Sequence, residues 1–481
     1  MPADYRGRRV VILGLARQGA ALARYLSQQG ARVVVSDRQP AEKLAAQVAA
    51  LSDLTIEFVL GDHPDSLLDG ADLLCLSGGV AADLPLARLA RGRGLPLSND
   101  SQIFLEACPP GVQVIGITGS AGKTTTTILV GRMCQPERST SPLPTSKASA
   151  ASAPAPQLPG QPVSARTVWV GGNIGRPLIG DLAGIRPGDI VVMELSSFQL
   201  EIMTRSPQIA AVLNLTPNHL DRHGSLAAYA EAKSHLLRFQ GPDGVAVLGR
   251  DDPGARALAP LARGQVAYFS AEGPVEDGAY LQGDNLMLAQ GVHTQVATLA
   301  DIHLRGRHNV LNVLAACAIS GAAGATPAAM RAGLAGFGGV EHRLELVRER
   351  GGVRWYNDSI ATAPERVIAA LRSFDEPIVL LLGGRDKQLP WDHLAALVRA
   401  RVKAVVLFGQ AGPLIEAALI AAGLPAERRA RFDSLAQAVP AAAERAQAGD
   451  VVLLSPGCTG YDEFHDFAER GEKFREWVRQ L

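Results

Sequence analysis

Along the first hundred residues, short apolar runs alternate with longer stretches in which apolar residues recur every three or four positions. The runs are RVVILGL (9–15), RVVVSD (32–37), TIEFVLG (55–61) and DLLCLSGG (72–79), and RQGAALARYLSQQG (17–30) has helical spacing. Strands apolar on both faces and joined by helices predict a parallel sheet covered on both sides. Gly14 and Gly19 make the first strand-to-helix turn, and Asp37 closes the second strand, where a Rossmann-type fold sets its ribose-binding acid. The turn GLARQG lacks the middle glycine of G-x-G-x-x-G, so a pyrophosphate approaches less closely and support for a nicotinamide cofactor is weak.

The alternation resumes from residue 108 with GITGSAGKTTTT (116–127), TVWVGGNIG (167–175), DIVVMELSSFQLE (189–201) and QIAAVLNLTPNHLDRHG (208–224). It restarts after FGGVEHRLEL (337–346) with VRWYNDS, PIVLLLGG, KAVVLFG and DVVLLSPG, and closes on the helix-like DEFHDFAERGEKFREWVRQL. The prediction is an α/β chain of three domains, 1–107, 108–339 and 340–481, with a hinge near Gly338 and Gly339 that closes on ligands. Residues 136–164 are rich in proline, serine and alanine, and are expected to be a disordered surface insertion with no part in the chemistry.

Composition narrows the function. The 481 residues hold 47 Lys plus Arg against 47 Asp plus Glu, which argues against nucleic acid or a membrane surface as the main partner. The five cysteines form no CxxC pair, no charged-then-apolar leader is seen, and no apolar run reaches the roughly 20 residues needed to span a bilayer. A soluble protein of a reducing cytoplasm is expected.

GITGSAGKTTTT offers a phosphate grip: a strand enters a glycine-rich turn, backbone N–H groups and a helix N-terminus face an anion, and Lys123 adds positive charge. Thr124 is placed to put its hydroxyl on Mg²⁺. Ile117 stands where the strict P-loop pattern has its first glycine, so the match is to the shorter GxxGKT core. Glu194 ends an apolar strand, and a carboxylate there requires a cation, either Mg²⁺ or an arginine. His219 and Asp221 follow another apolar strand, at the sheet edge where ligands bind; such a histidine reaches a metal or phosphate, or is a surface residue. Lys233 lies on a helix, where lysine is ordinarily solvated; held neutral, its amine would react with CO₂ to give a carbamate, a ligand for a second Mg²⁺. Asn309 and Asn312 begin a helix as caps or as base and ribose contacts. Arg343, Asp358, Thr362 and Lys387 gather near strand ends of the last domain, each ordinary alone but together marking a site.

These stretches resemble the Mur ligase family, ATP-dependent amino-acid ligases of peptidoglycan precursor synthesis. The resemblance runs almost the full chain through GITGSAGKTTTT, GGNIG, ELSSFQLE, LNLTPNHLDRHG, AYAEAK, GRHNVLN, HRLEL, NDSIAT, LLLGGRDK and LLSPGCTGYDEF. It implies a Rossmann-like UDP-binding domain, a central P-loop ATPase-type domain and a Rossmann-like C-terminal domain. It also implies ATP, two Mg²⁺ ions, and glutamate addition, D-glutamate first, to UDP-N-acetylmuramoyl-L-alanine through an acyl phosphate, by a monomer.

Carried over, Gly119, Gly122, Lys123, Thr124, Thr125, Asn309, Asn312, Arg343 and Asp358 resemble the ATP side. Thr124, Glu194, His219 and a carbamylated Lys233 resemble the metal ligands, with Lys123, Glu194, His219 and Lys233 catalytic. Leu15, Ala16, Asp37, Arg38, Gly79, Asn173 and His219 match the UDP-sugar side, and Thr362, Lys387 and Phe467 the glutamate side. Two positions depart: Ile360 replaces the common lysine, and Gly460 replaces a serine expected on the glutamate carboxylate. SIATAPER also resembles an L-glutamate-adding sister group, so handedness stays open. A sensor that binds ATP and nucleotide sugar without turnover, and a folate-extending ligase, are the other readings; the N-terminal domain speaks against the folate ligase.

Overall fold

The computed structural model of the chain describes residues 4–135, 166–217 and 220–481, so the expected insertion at 136–164 lies outside the described residues. Met1–Ile302 with Arg307–Ala335 make one compact unit, and His303–Gly306 with Gly336–Leu481 a second. Gly338 and Gly339 fall just inside the second unit, with Gly339 at φ +115°.

The first unit opens with strands β1 (Arg9–Leu13), β2 (Arg32–Asp37), β3 (Ile56–Leu60), β4 (Leu73–Leu76) and β5 (Leu97–Ser98) in an all-parallel sheet ordered β3-β2-β1-β4-β5. Val10 to Leu13 are wholly buried, which is why the strand reads as an unbroken apolar run. Helix α1 (Arg17–Gln28) covers the sheet with Gly19, Leu22, Ala23 and Leu26, the spacing of one helix face. Strand order reverses between β1 and β4, and their connections leave to opposite sides, which opens a crevice at the carboxyl ends.

Beyond it lie β6 (Gln113–Thr118), β7 (Val168–Gly172), β8 (Ile190–Glu194), β9 (Ile209–Val212), β10 (Val245–Gly249), β11 (Gln265–Ser270), β12 (Asp277–Gln282), β13 (Asn285–Gln290) and β14 (Val292–Thr298). Among the described residues they form one sheet ordered β14-β13-β12-β11-β10-β9-β6-β8-β7. The register sets Ile117 of β6 beside Glu194 of β8 and Ala211 of β9, so the phosphate loop emerges between those two strand ends. Helix α2 (Lys123–Met133) begins directly after that loop, and α3 (Leu226–Arg238) follows β9. Helix α4 (Arg307–Ala322) is buried without a break from Asn312 to Gly321, the pattern of a helix enclosed on all sides, and packs on α2. The antiparallel β12–β13–β14 edge was not foreseen; Gly283 at φ +58° makes the tight turn joining its first two strands.

The second unit contains β15 (Glu345–Arg350), β16 (Val353–Asn357), β17 (Ile378–Gly383), β18 (Val402–Phe408), β19 (Arg429–Arg431) and β20 (Val451–Gly457), ordered β15-β16-β20-β17-β18-β19. Only the β15–β16 pair is antiparallel. The closing helix α5 (Phe467–Gln480) is capped by Asp466, whose Oδ1 accepts from the backbone N of Ala468 and Glu469 at 2.8 Å each, a device that contributes about 1 kcal/mol. No helix among the described residues is long and apolar enough to cross a membrane.

Candidate active site

The phosphate loop is built on a backbone that excludes side chains. Gly122 sits at φ +83°, and a Cβ there would stand 2.1 Å from Asn312 Oδ1. Glycine therefore lets α4 reach the loop, where Asn312 Nδ2 also donates to Asn309 Oδ1 at 2.9 Å. The spacing of Asn309 and Asn312 on one helix is thus used at the head of another. Lys123 folds over the loop, its Nζ 2.8 Å from Gly119 O, and Thr125 is buried one residue beyond Thr124.

Glu194 is 2% exposed at the end of β8. Its Oε2 accepts from Thr124 Oγ1 at 2.8 Å and its Oε1 from Asn173 Nδ2 at 2.9 Å, while its own carbonyl accepts from Asn173 N at 2.8 Å. Of the two cations expected for this carboxylate, no arginine meets it among the described residues. A buried carboxylate that accepts one bond on each oxygen keeps further lone pairs, and carboxylate oxygens are the donors a Mg²⁺ ion uses.

Lys233 overturns the ordinary reading of a helix lysine. It is 1% exposed, with Nζ donating to Thr118 Oγ1 at 3.0 Å and Gly119 O at 3.1 Å, and it lies 4.7 Å over the Tyr229 ring. Burial, and next the charge of Lys123, push its pKa well below the usual lysine value, with Glu194 pulling the other way. A neutral amine beside the phosphate loop is the form that combines with CO₂. His219 lies outside the described residues.

In the first sheet Gly14, at φ +92°, brings the β1 loop against Ser77; a Cβ would lie 3.0 Å from that side chain. Leu15 is buried, and its backbone N donates to Asp37 Oδ2 at 2.8 Å, while Asp37 Oδ1 accepts from Gln39 N at 2.9 Å. Asp37 thus ties the loop to the end of β2 with both oxygens, keeping lone pairs for a ligand. Ala16, Arg38 and Gly79 are exposed at the same edge. Two residues passed over in the sequence bind these loops together: Gln18 Oε1 accepts from Gly78 N at 3.1 Å, and Arg17 Nη1 donates to Gly175 O at 2.9 Å, beside Asn173. Their signal was the polar R-Q inside an otherwise small-residue turn.

In the second unit, Asp358 is 5% exposed; its Oδ2 accepts from Ser455 Oγ at 2.8 Å and its Oδ1 from Leu344 N at 3.2 Å. Burial pushes its pKa up to about 7, against the two hydrogen bonds and the nearby Arg343. Lys387 Nζ donates to Thr362 Oγ1 at 3.0 Å, so these two predicted residues do meet. Phe467 is partly exposed at the start of α5, and its carbonyl accepts from Ser359 Oγ at 2.7 Å. The unforeseen member is Arg470, wholly buried, which donates to Ser359 Oγ (2.9 Å), Ser359 O (2.8 Å) and Cys458 O (3.1 Å). A Cβ on Gly460 would stand 3.1 Å from Asp466 O and 3.6 Å from Arg470 Nη1, so the missing serine leaves a tight floor over this guanidinium.

A phosphate loop with a buried carboxylate and a buried amine, in a chain of mostly parallel α/β sheets, marks a phosphate-binding α/β protein. The chain belongs to the Mur ligase family: it matches the MurD-like N-terminal domain over 8–98, the Mur ligase middle domain over 117–320 and the glutamate ligase domain over 342–458. It is 41% identical over 476 residues, 98% of each chain, to the UDP-N-acetylmuramoylalanine–D-glutamate ligase of Symbiobacterium thermophilum. It is 39% identical over 490 residues, 99% of each, to the enzyme of that name from a Roseiflexus species. Among solved structures, UDP-N-acetylmuramate-alanine ligase MurC of Thermotoga maritima is 18% identical, with a TM-score of 0.53 and coverage of 98% of this chain and 99% of that one. MurF of Acinetobacter baumannii is also 18% identical, with a TM-score of 0.55 and coverage of 98% and 93%; both likenesses concern the fold alone.

Proposed function

We propose that the chain is a cytoplasmic ATP-dependent ligase that joins D-glutamate to UDP-N-acetylmuramoyl-L-alanine in peptidoglycan precursor synthesis. The observation that carries the reading is near full-length identity of 41% to a relative of that name. The buried Glu194–Thr124 pair at the mouth of the phosphate loop supplies the matching chemistry. The three predicted domains, 1–107, 108–339 and 340–481, serve the nucleotide sugar, ATP and the amino acid in turn.

A carboxylate is a poor electrophile, so the terminal L-alanine carboxylate takes the γ-phosphoryl group of ATP and becomes an acyl phosphate. The amine of glutamate then attacks its carbonyl carbon, and the tetrahedral intermediate expels phosphate. In this scheme Gly119, Gly122, Thr124, Thr125 and the Lys123 amine cradle the phosphates, with Asn309, Asn312, Arg343 and Asp358 on the rest of ATP. Thr124, Glu194, His219 and the carbamate of Lys233 would hold two Mg²⁺ ions, which supply the positive charge that lets two anions approach. Leu15, Ala16, Asp37, Arg38, Gly79 and Asn173 hold the nucleotide sugar. Thr362, Lys387 and Phe467 hold glutamate, with Ile360 and Gly460 removing two contacts that relatives of this kind use.

The test is release of ADP and phosphate from ATP and Mg²⁺ with UDP-N-acetylmuramoyl-L-alanine and each glutamate enantiomer. Release that needs both the nucleotide sugar and D-glutamate is expected. An equal rate without nucleotide sugar overturns the reading, and preference for L-glutamate keeps the chemistry and changes the product.

A further inference from the structure

The carboxyl ends of β2 and β3 carry a polar cluster that the sequence analysis passed over. Ser36 is wholly buried, and its Oγ lies 3.0 Å from Asp62 O and 2.8 Å from His63 Nδ1. A carbonyl oxygen only accepts, so the single hydroxyl hydrogen goes to Asp62. Ser36 Oγ therefore faces the imidazole with a lone pair, and the hydrogen of that second bond belongs to His63 Nδ1. A neutral ring protonated at Nδ1 presents Nε2 as an acceptor. Partial burial, and next Arg38, lower the pKa of the ring, against the carboxylates of Asp37 and Asp62.

The position of the ring is fixed as well as its tautomer. Gly61 N donates to Asp37 O at 2.8 Å, which binds the exit of β3 to the exit of β2, and His63 N donates to Asp62 Oδ1 at 2.7 Å two residues on. In an open α/β sheet a nucleotide lies across the carboxyl ends, its phosphates at the crevice where strand order reverses. Here that crevice is between β1 and β4; β2 and β3 follow β1 on one side of it, with Asp37 at the end of β2, Arg38 just after it and His63 after β3.

We infer that His63 reads the base of the nucleotide, its Nε2 accepting the N3–H of uracil; this rests on the nucleotide-sugar reading given above. Uracil carries a hydrogen on N3 and cytosine a lone pair, so an acceptor held in this tautomer favours the first and repels the second. Ser36 is the positioning residue that sets the tautomer.

Calorimetric titration of the full chain with UDP and with CDP tests this. The wild type is expected to favour UDP by about tenfold or more. His63→Phe is expected to lose that preference and about tenfold in UDP affinity, with the KM for ATP and the melting temperature unchanged. His63→Gln, which keeps an acceptor oxygen, should restore most of the preference. A His63→Phe variant that keeps the wild-type UDP-to-CDP ratio, or that weakens both nucleotides equally, overturns the inference. Base-selective binding that depends on His63 in a protein without ligase activity would support it while overturning the ligase reading.

Discussion

Thr124 Oγ1 donates to Glu194 Oε2 at 2.8 Å, joining the first turn of α2 to the end of β8 across 70 positions of sequence. The strand register makes the contact possible, because Ile117 and Glu194 are direct partners and the loop that follows β6 turns back over the carboxylate. Glu194→Gln keeps the shape and one acceptor but removes the charge. It is expected to lower kcat by about 100-fold or more and to raise the Mg²⁺ concentration needed for half-maximal rate, read by ADP release across a Mg²⁺ titration.

Lys233 is buried among Thr118, Gly119 and Tyr229, and among the described residues no carboxylate is hydrogen-bonded to its amine. In ¹³C-bicarbonate the protein should show a carbamate carbon by ¹³C NMR that is missing from Lys233→Arg. That variant should lose nearly all ligase activity, since a guanidinium places positive charge where negative charge is needed. Full activity of Lys233→Arg, or no carbamate signal in the active wild type, would count against the assignment.

Arg470 fills the floor of the second unit with three hydrogen bonds to Ser359 and Cys458. Arg470→Ala leaves two buried carbonyls and a hydroxyl without their donor and opens a cavity, at a cost of about 2–5 kcal/mol. Urea denaturation followed by a tryptophan of the second unit, such as Trp355, should show that unit unfolding earlier. Because Ser359 holds the Phe467 carbonyl, the KM for glutamate should rise in the milder Arg470→Lys variant.

Asp358 gives a pH dependence whose sign follows from its burial. Its pKa is raised from 3.8 to about 7 in the folded chain, so between those values the folded state binds more protons than the unfolded state. This contribution to stability is complete below the unfolded value and is lost as pH rises through the folded one. The melting temperature of the wild type relative to Asp358→Asn should fall between pH 4 and pH 7 and level off above it. A difference that rises with pH over that range would contradict the burial argument.

Much of the chemistry was legible because it is local. The order Gly-Lys-Thr after an apolar strand fixed the phosphate loop, and an acidic residue closing an apolar run marked Glu194 as buried with a partner to find. The Lys233 reading shows the opposite case: on a helix with mixed neighbours its burial could not be read from spacing, and only the family resemblance pointed to it. Gln18, His63 and Arg470 were missed because nothing in their immediate neighbours distinguishes them; each gains its place from contacts with segments far away in sequence. The antiparallel β12–β14 edge was missed because its strands are six or seven residues long and lack a clean alternation of buried and exposed positions.

The sequence alone determined the parallel α/β class, the phosphate loop and the membership suggested by its ordered motifs, since hydrophobic period and glycine placement act within a few residues of themselves. Tertiary structure decided which groups lose their water, which carboxylate meets a hydroxyl instead of an arginine, and which hydroxyl meets the His63 ring. Those outcomes depend on register between strands distant along the chain, and desolvation is a property of the packed neighbourhood that no single segment carries.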